Sequence, residues 1–190
     1  MWVDASYATH PNMRSHSGGA MSFGTGILHG KSTKQKLNTK SSTEAELVAV
    51  SDYIPYHIWM IIFLTQQGYE IKNKVLYQDN QSAIKMEVNR RNSCTGNSRH
   101  INIRYFFVHD RIKNGKLDVV HCPTEKMLAE FFTKPLKGKI FKRFRSAIMG
   151  HDNQEIVLND MFSEKIINRA KKKERVEIHN LKSDISFVHD

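Results

Sequence analysis

The stretch Lys74-Val75-Leu76-Tyr77-Gln78-Asp79-Asn80-Gln81-Ser82-Ala83-Ile84 changes character at its middle. Residues 74–78 read as a short strand with Val75 and Tyr77 on one face. Asp79-Asn80-Gln81-Ser82 then supplies the short polar side chains that cap a following helix. An acid at the carboxyl end of a strand stands where open α/β sheets place ligands. Three more acids have comparably ordered settings. Asp4 follows Trp2-Val3, which looks like the last part of a strand. Glu46 lies in Ser41-Ser42-Thr43-Glu44-Ala45-Glu46-Leu47, and Glu130 in Met127-Leu128-Ala129-Glu130-Phe131-Phe132-Thr133-Lys134-Pro135-Leu136.

Outward from these points the chain alternates strand and helix patterns. Residues 5–19 are polar and turn-forming, ending in Ser17-Gly18-Gly19. Residues 20–38 read as a hairpin, with Met21, Phe23 and Ile27 at alternating parity and Gly24, Gly26 and Gly30 loosening the backbone. A long helix is expected from Ser42 or Thr43, capped by a hydroxyl and followed by first-turn acids. Leu47, Val50, Ile54, Ile58, Ile61, Ile62 and Phe63 give it a helical period, Pro55 is expected to kink it, and Gly68 ends it. Residues 89–98 form a polar, basic loop, 100–113 a helix and 117–121 a strand. Pro123-Thr124-Glu125 starts a short helix containing Glu130. The order β, β-hairpin, long α, β, α, α, β, α predicts an α/β fold with a mixed sheet.

The 190 residues carry a net charge of +10, unevenly placed. Residues 1–150 hold 22 Lys and Arg against 11 Asp and Glu, whereas residues 151–190 hold 7 against 8. The basic excess therefore belongs to the first 150 residues and points to a polyanionic partner. Its densest cluster is Lys134, Lys137, Lys139, Lys142, Arg143 and Arg145, with Ile140, Phe141, Phe144 and Ile148 as the apolar face of a helix. Arg90, Arg91 and Arg99 bracket the 89–98 loop and are a second set of candidate phosphate contacts. Cys94 and Cys122 lack further ligands at metal-binding spacing and read as free thiols. The longest apolar run, residues 58–64, is too short to span a bilayer, so no membrane partner is expected.

Four converging carboxylates repel one another unless cations join them. An all-oxygen ligand set suits Mg²⁺ or Mn²⁺ rather than zinc. A pair of such ions can clamp a phosphoryl group, one side activating water and the other stabilising the leaving oxygen.

Several motifs occur in a telling order: Asp4-Ala5-Ser6, Lys31-Ser32-Thr33-Lys34-Gln35, Ser41 to Leu47, Tyr77 to Ile84, Ser98-Arg99-His100-Ile101-Asn102-Ile103-Arg104-Tyr105, and Thr124 to Leu136. Over roughly residues 1–150 the chain resembles the ribonuclease H domain at the end of a copia-type retrotransposon polyprotein. The resemblance implies a ribonuclease H-like, five-stranded mixed sheet flanked by helices, with the first strand cut to a stub. It implies a ribonuclease H-like domain at 1–134 and the family's basic C-terminal helix at 135–150; residues 151–190 lie beyond it and read as a helical or disordered tail of unknown role. It also implies cleavage of the RNA strand of an RNA–DNA hybrid with two Mg²⁺ ions (Mn²⁺ being an alternative). The partner domain would be the reverse transcriptase that precedes it, and the compartment the cytoplasm, in a virus-like particle, or the nucleus. In this resemblance Asp4 bridges the metals, Glu46 rather than Glu44 is the catalytic acid, Asp79 shares one ion with Glu46, and Glu130 completes the second site. The chain departs from the family pattern in having Glu130 where Asp stands and Asn102 where an acid is common. The alternative reading is a decayed element that only binds nucleic acid.

Overall fold

The computed structural model describes residues 1–71, 73–88 and 99–151. Five strands form one mixed sheet: β1 (Trp2–Ser6), β2 (His16–Met21), β3 (His29–Lys34), β4 (Val75–Gln78) and β5 (Asp118–His121). Their spatial order is β3-β2-β1-β4-β5. The β1–β2 and β2–β3 pairs are antiparallel, whereas β1–β4 and β4–β5 are parallel. The helices are α1 (Ser42–Gln66), α2 (Gln81–Val88), α3 (Arg99–Lys113) and α4 (Gly138–Met149). This is the flanked mixed sheet that the order of sequence patterns predicts.

β1 is longer than the expected stub, because Ala5 and Ser6 continue it beyond Asp4. All five of its residues pair with β2, from Trp2↔Ala20 to Ser6↔His16. Its short leading end shows only on the other side, where Trp2↔Tyr77 is the sole registered pair with β4. Met1 adds to that edge: its amino group donates to the Val75 carbonyl at 2.9 Å, and its own carbonyl accepts from Tyr77 N–H at 2.7 Å. Extending the parallel register by two residues sets Asp4 level with Asp79.

β2 starts at His16, where the sequence reading placed turn-forming residues. The reason is visible at two glycines. A Cβ on Gly18 would lie 2.6 Å from Thr133 Cγ2 and 2.7 Å from the Ala129 carbonyl oxygen, and one on Gly19 would lie 2.4 Å from the Tyr53 ring. Glycine is present here because other elements press on both faces of the strand, not because the chain turns.

α1 opens with Ser41 as its N-cap, whose hydroxyl accepts from Glu44 N–H at 3.2 Å, while Glu44 Oε2 accepts from Lys40 N–H at 2.7 Å. Glu44 is thus used in the capping motif. α1 continues through Pro55 to Gln66. Its leading half buries Leu47, Val48, Val50, Tyr53 and Ile54 in a core shared with Val3, Leu76, Tyr105, Val108 and Val119. Among the described residues it is the one helix that length and composition would allow to cross a membrane, with a mean hydropathy of 1.5 in its most apolar window. Core packing accounts for that character in its leading half, while Trp59, Ile62 and Phe63 remain exposed further along. The expected last helix of the 1–134 region is instead two short 3₁₀ helices, Thr124–Lys126 and Leu128–Phe132.

Candidate metal centre

Three elements deliver three acids to one point. Asp4 comes from the middle of β1, Glu46 from just beyond the first turn of α1, and Asp79 from the residue after β4. One carboxylate oxygen from each lies within 4.8 Å of the others. Asp4 and Glu46 are buried, and Asp79 is half-buried. α2 begins two residues after Asp79, with Asn80 Oδ1 accepting from Ala83 N–H at 3.0 Å, so the strand-to-helix switch fixes where Asp79 stands.

Glu46 is anchored through one oxygen only. Its Oε1 accepts from Ala5 N–H at 3.0 Å, while Oε2 is buried with no hydrogen-bond partner. Burial drives the Glu46 pKa well above the ordinary carboxylate range, and the neighbouring Asp4 and Asp79 add to the rise; the Ala5 N–H and the Gln78 amide oppose it. Asp4 is raised by burial and by Asp79, against the Thr133 hydroxyl and the Lys134 charge. Asp79 is likewise raised by burial first, with Lys134 and His121 opposing and Glu130 reinforcing. Three carboxyls pushed up by burial, and each further by a neighbouring acid, mark a site short of positive charge. An all-oxygen group of three carboxylates, gathered within 4.8 Å, fits a hard divalent cation such as Mg²⁺ or Mn²⁺.

Glu130 is placed differently. It is buried in the Leu128–Phe132 turn but lies outside the group of three. Its Oε1 accepts from Lys134 Nζ at 2.5 Å, and the same ammonium is 3.9 Å from Asp4 Oδ1. The neighbouring Thr133 hydroxyl donates to Asp4 Oδ2. Ser6 Oγ donates to the Thr133 carbonyl at 3.1 Å, and Ser32 Oγ donates to the Phe132 carbonyl at 2.7 Å. Since Ser32 spends its proton on Phe132, His16 Nε2, at 2.7 Å, must be the donor to Ser32 Oγ. The turn that carries Glu130, Thr133 and Lys134 is therefore seated on Gly18 and tied to β1, β2 and β3.

The basic residues singled out in the sequence divide in the same way. Lys134 faces the carboxylates. Lys137, Lys139, Lys142, Arg143 and Arg145 are exposed in or just before α4. That helix packs through Phe144 and Ala147, with Phe141 stacked on Phe131 at 5.4 Å between ring centres. Arg143 donates to the Glu125 carbonyl, and Arg145 lies over the Phe141 ring at 6.0 Å. Arg90 and Arg91 lie outside the described residues, as do the side chain of Arg99 and residues 152–190. Cys122 is buried with a free thiol.

The sequence reading missed two features. Thr133 and Lys134 hold acids directly; the Glu130/Lys134 spacing of four residues was the available signal. A second basic cleft of about 270 Å³ is lined by Lys31, Lys34, Lys36, Tyr56 and Arg104. Its residues come from β3, the segment after it, α1 and α3, and no local pattern joins them.

No family model matches the chain. Among curated proteins it is 29% identical over 142 residues, 75% of its length, to the retrovirus-related Pol polyprotein from transposon TNT 1-94 of Nicotiana tabacum. It is 36% identical over 118 residues, 62% of its length, to the Pol polyprotein from transposon RE1 of Arabidopsis thaliana. To the transposon Ty1-JR2 Gag-Pol polyprotein of Saccharomyces cerevisiae it is 30% identical over 139 residues, 73% of its length. The matches span only 10%, 8% and 8% of these relatives. The homologues of this chain are thus Pol polyproteins of Ty1/copia-type retrotransposons, of which it corresponds to a small part.

Proposed function

We propose that the chain is a metal-dependent ribonuclease H that cuts the RNA strand of RNA–DNA hybrids during reverse transcription, beside a reverse transcriptase domain of the same polyprotein. The observation that carries this reading is the convergence of Asp4, Glu46 and Asp79, one carboxylate oxygen from each lying within 4.8 Å of the others. Those three residues would hold Mg²⁺ or Mn²⁺, with Glu130 at the margin. Bound there, the ion supplies a Lewis acid for a phosphoryl oxygen and lowers the pKa of water. Asp4 is fixed by Thr133 and Glu46 by Ala5 N–H, so both carboxylates are oriented before substrate arrives. The exposed cations of the 137–145 segment, and those of the Lys31–Lys36 cleft, supply positive surface for a phosphate backbone.

The test is cleavage of a fluorescent RNA–DNA hybrid with Mg²⁺, set against Asp79→Asn. Cleavage that requires Mg²⁺ and is lost in the variant is expected; equal cleavage by both chains, or none by either, would overturn the reading. A second reading is hybrid binding without cleavage. It is favoured by one observation, the pairing of Glu130 with Lys134 in place of a fourth acid in the cluster. Salt-sensitive binding of the hybrid without product formation would select it.

A further inference from the structure

Lys134 stands between acids that come from different parts of the fold. Its ammonium is 2.5 Å from Glu130 Oε1 and 3.9 Å from Asp4 Oδ1, and its side chain remains two-fifths exposed. The group is not there by chance of a flexible stem alone. The Lys134 N–H donates to the Glu130 carbonyl at 3.0 Å, and the preceding Thr133 is bound at its hydroxyl to Asp4 and at its carbonyl to Ser6. The backbone from which the stem departs is thus fixed against β1. A single positive charge therefore joins Glu130 to Asp4.

We propose that the Lys134 ammonium is the resident counter-cation of the Asp4–Glu130 side, competing with a second divalent ion, so that the chain holds one tightly bound ion on Asp4, Glu46 and Asp79. This rests on the metal-centre reading above. A bridging ammonium neutralises the same two carboxylates that a second ion would need. A divalent ion entering there must displace Lys134 from Glu130 and then lie beside its charge. Either requirement weakens the second site relative to the first.

The discriminating experiment counts Mn²⁺ bound to the full chain at pH 7 by electron paramagnetic resonance of the free ion. It compares the native chain with Lys134→Gln, Lys134→Arg and Glu130→Gln/Lys134→Gln. The native chain and Lys134→Arg are expected to bind one ion tightly. Lys134→Gln is expected to bind a second with affinity raised roughly ten- to a hundredfold, and the double variant to lose that gain. Two ions bound by the native chain as tightly as by Lys134→Gln would overturn the proposal, as would a Lys134→Gln chain that folds, by circular dichroism, and still binds one. If Lys134→Gln fails to fold, the count for the native chain still decides: a single tight ion supports the proposal and two of similar affinity sink it. No tight ion in any chain would remove the metal-centre reading itself, a result distinct from finding two.

Discussion

Glu46→Gln should make the metal-free protein more stable while abolishing its response to Mg²⁺. The carboxylate is buried, its Oε1 accepts from Ala5 N–H, its Oε2 has no hydrogen-bond partner, and it shares one group with Asp4 and Asp79. At an effective dielectric of about 20, two unit charges at the 4.8 Å that bounds this group repel by roughly 3–4 kcal/mol. Partial protonation and the Lys134 charge relieve part of that, leaving about 2 kcal/mol for the substitution to release. A glutamine keeps the acceptor for Ala5, and its amide can donate to the two remaining carboxylates. The pH dependence carries the same sign. A carboxyl whose folded pKa lies above its unfolded value of 4.5 contributes stability that is fully present below that value and is lost as pH rises through the folded one. Glu46→Gln should flatten that decline. Read by thermal denaturation at pH 7 in EDTA, the variant should melt about 5 °C above the native chain. With Mg²⁺ at a hundred times its dissociation constant the native chain should gain about 2.7 kcal/mol and the variant nothing. A variant less stable than the native chain in EDTA, or equally stabilised by Mg²⁺, refutes the argument that this cluster is short of positive charge.

Other perturbations follow from particular burials. His57 is buried, and burial pushes its pKa from 6.5 down to about 3, against a backbone contact at Lys74. The unfolded chain takes up a proton there that the fold refuses, so stability is lost as pH falls from 6.5 towards 3; His57→Leu should recover about 2 kcal/mol at pH 5, measured by urea midpoints. Glu87 is fully buried, and burial pushes its pKa from 4.5 up to about 8, against the Gln78 amide. Its contribution is present below pH 4.5 and lost as pH rises to 8, so Glu87→Gln should stabilise the protein at pH 7 by about 3 kcal/mol. Gly18→Ala and Gly19→Ala should each cost about 1–3 kcal/mol through overpacking. Only Gly18→Ala presses on the Thr133 turn, so Mn²⁺ titration should find metal affinity reduced in that variant and retained in Gly19→Ala.

Where a residue's role depends on its neighbours in the chain, the sequence disclosed it. Asp79 could be placed because alternation ends at Gln78 and an Asx cap begins at Asn80. The resemblance set Glu46 apart from Glu44, and the structure uses Glu44 in the Ser41 capping motif instead. Gly18 and Gly19 were misread for the opposite reason. Ser17-Gly18-Gly19 has a turn's composition, but what requires glycine is Thr133 on one face and Tyr53 on the other, and neither is near in sequence. Lys134 belongs to the same class. Within a basic run a lysine reads as a phosphate contact, and only the docking of its turn against β1 turns it inward.

The departure at position 130 and the pairing with Lys134 account for each other. A glutamate carries its carboxylate about one bond length further from the backbone than aspartate, and a displacement near 1 Å is enough to change rates about a hundredfold. The turn bearing it cannot shift to compensate, because Gly18 leaves no gap beneath Ala129 and Thr133, and Ser6 and Ser32 hold the Thr133 and Phe132 carbonyls. The Glu130 carboxylate meets the Lys134 ammonium and lies outside the group of Asp4, Glu46 and Asp79. Three acids without that fourth one still make a hard-cation site, and a lysine that neutralises the remainder keeps the unmetallated cluster from carrying four uncompensated charges. On the proposed metal-centre reading, Glu46 would govern binding of the first ion, and Glu130 with Lys134 would govern access of a second.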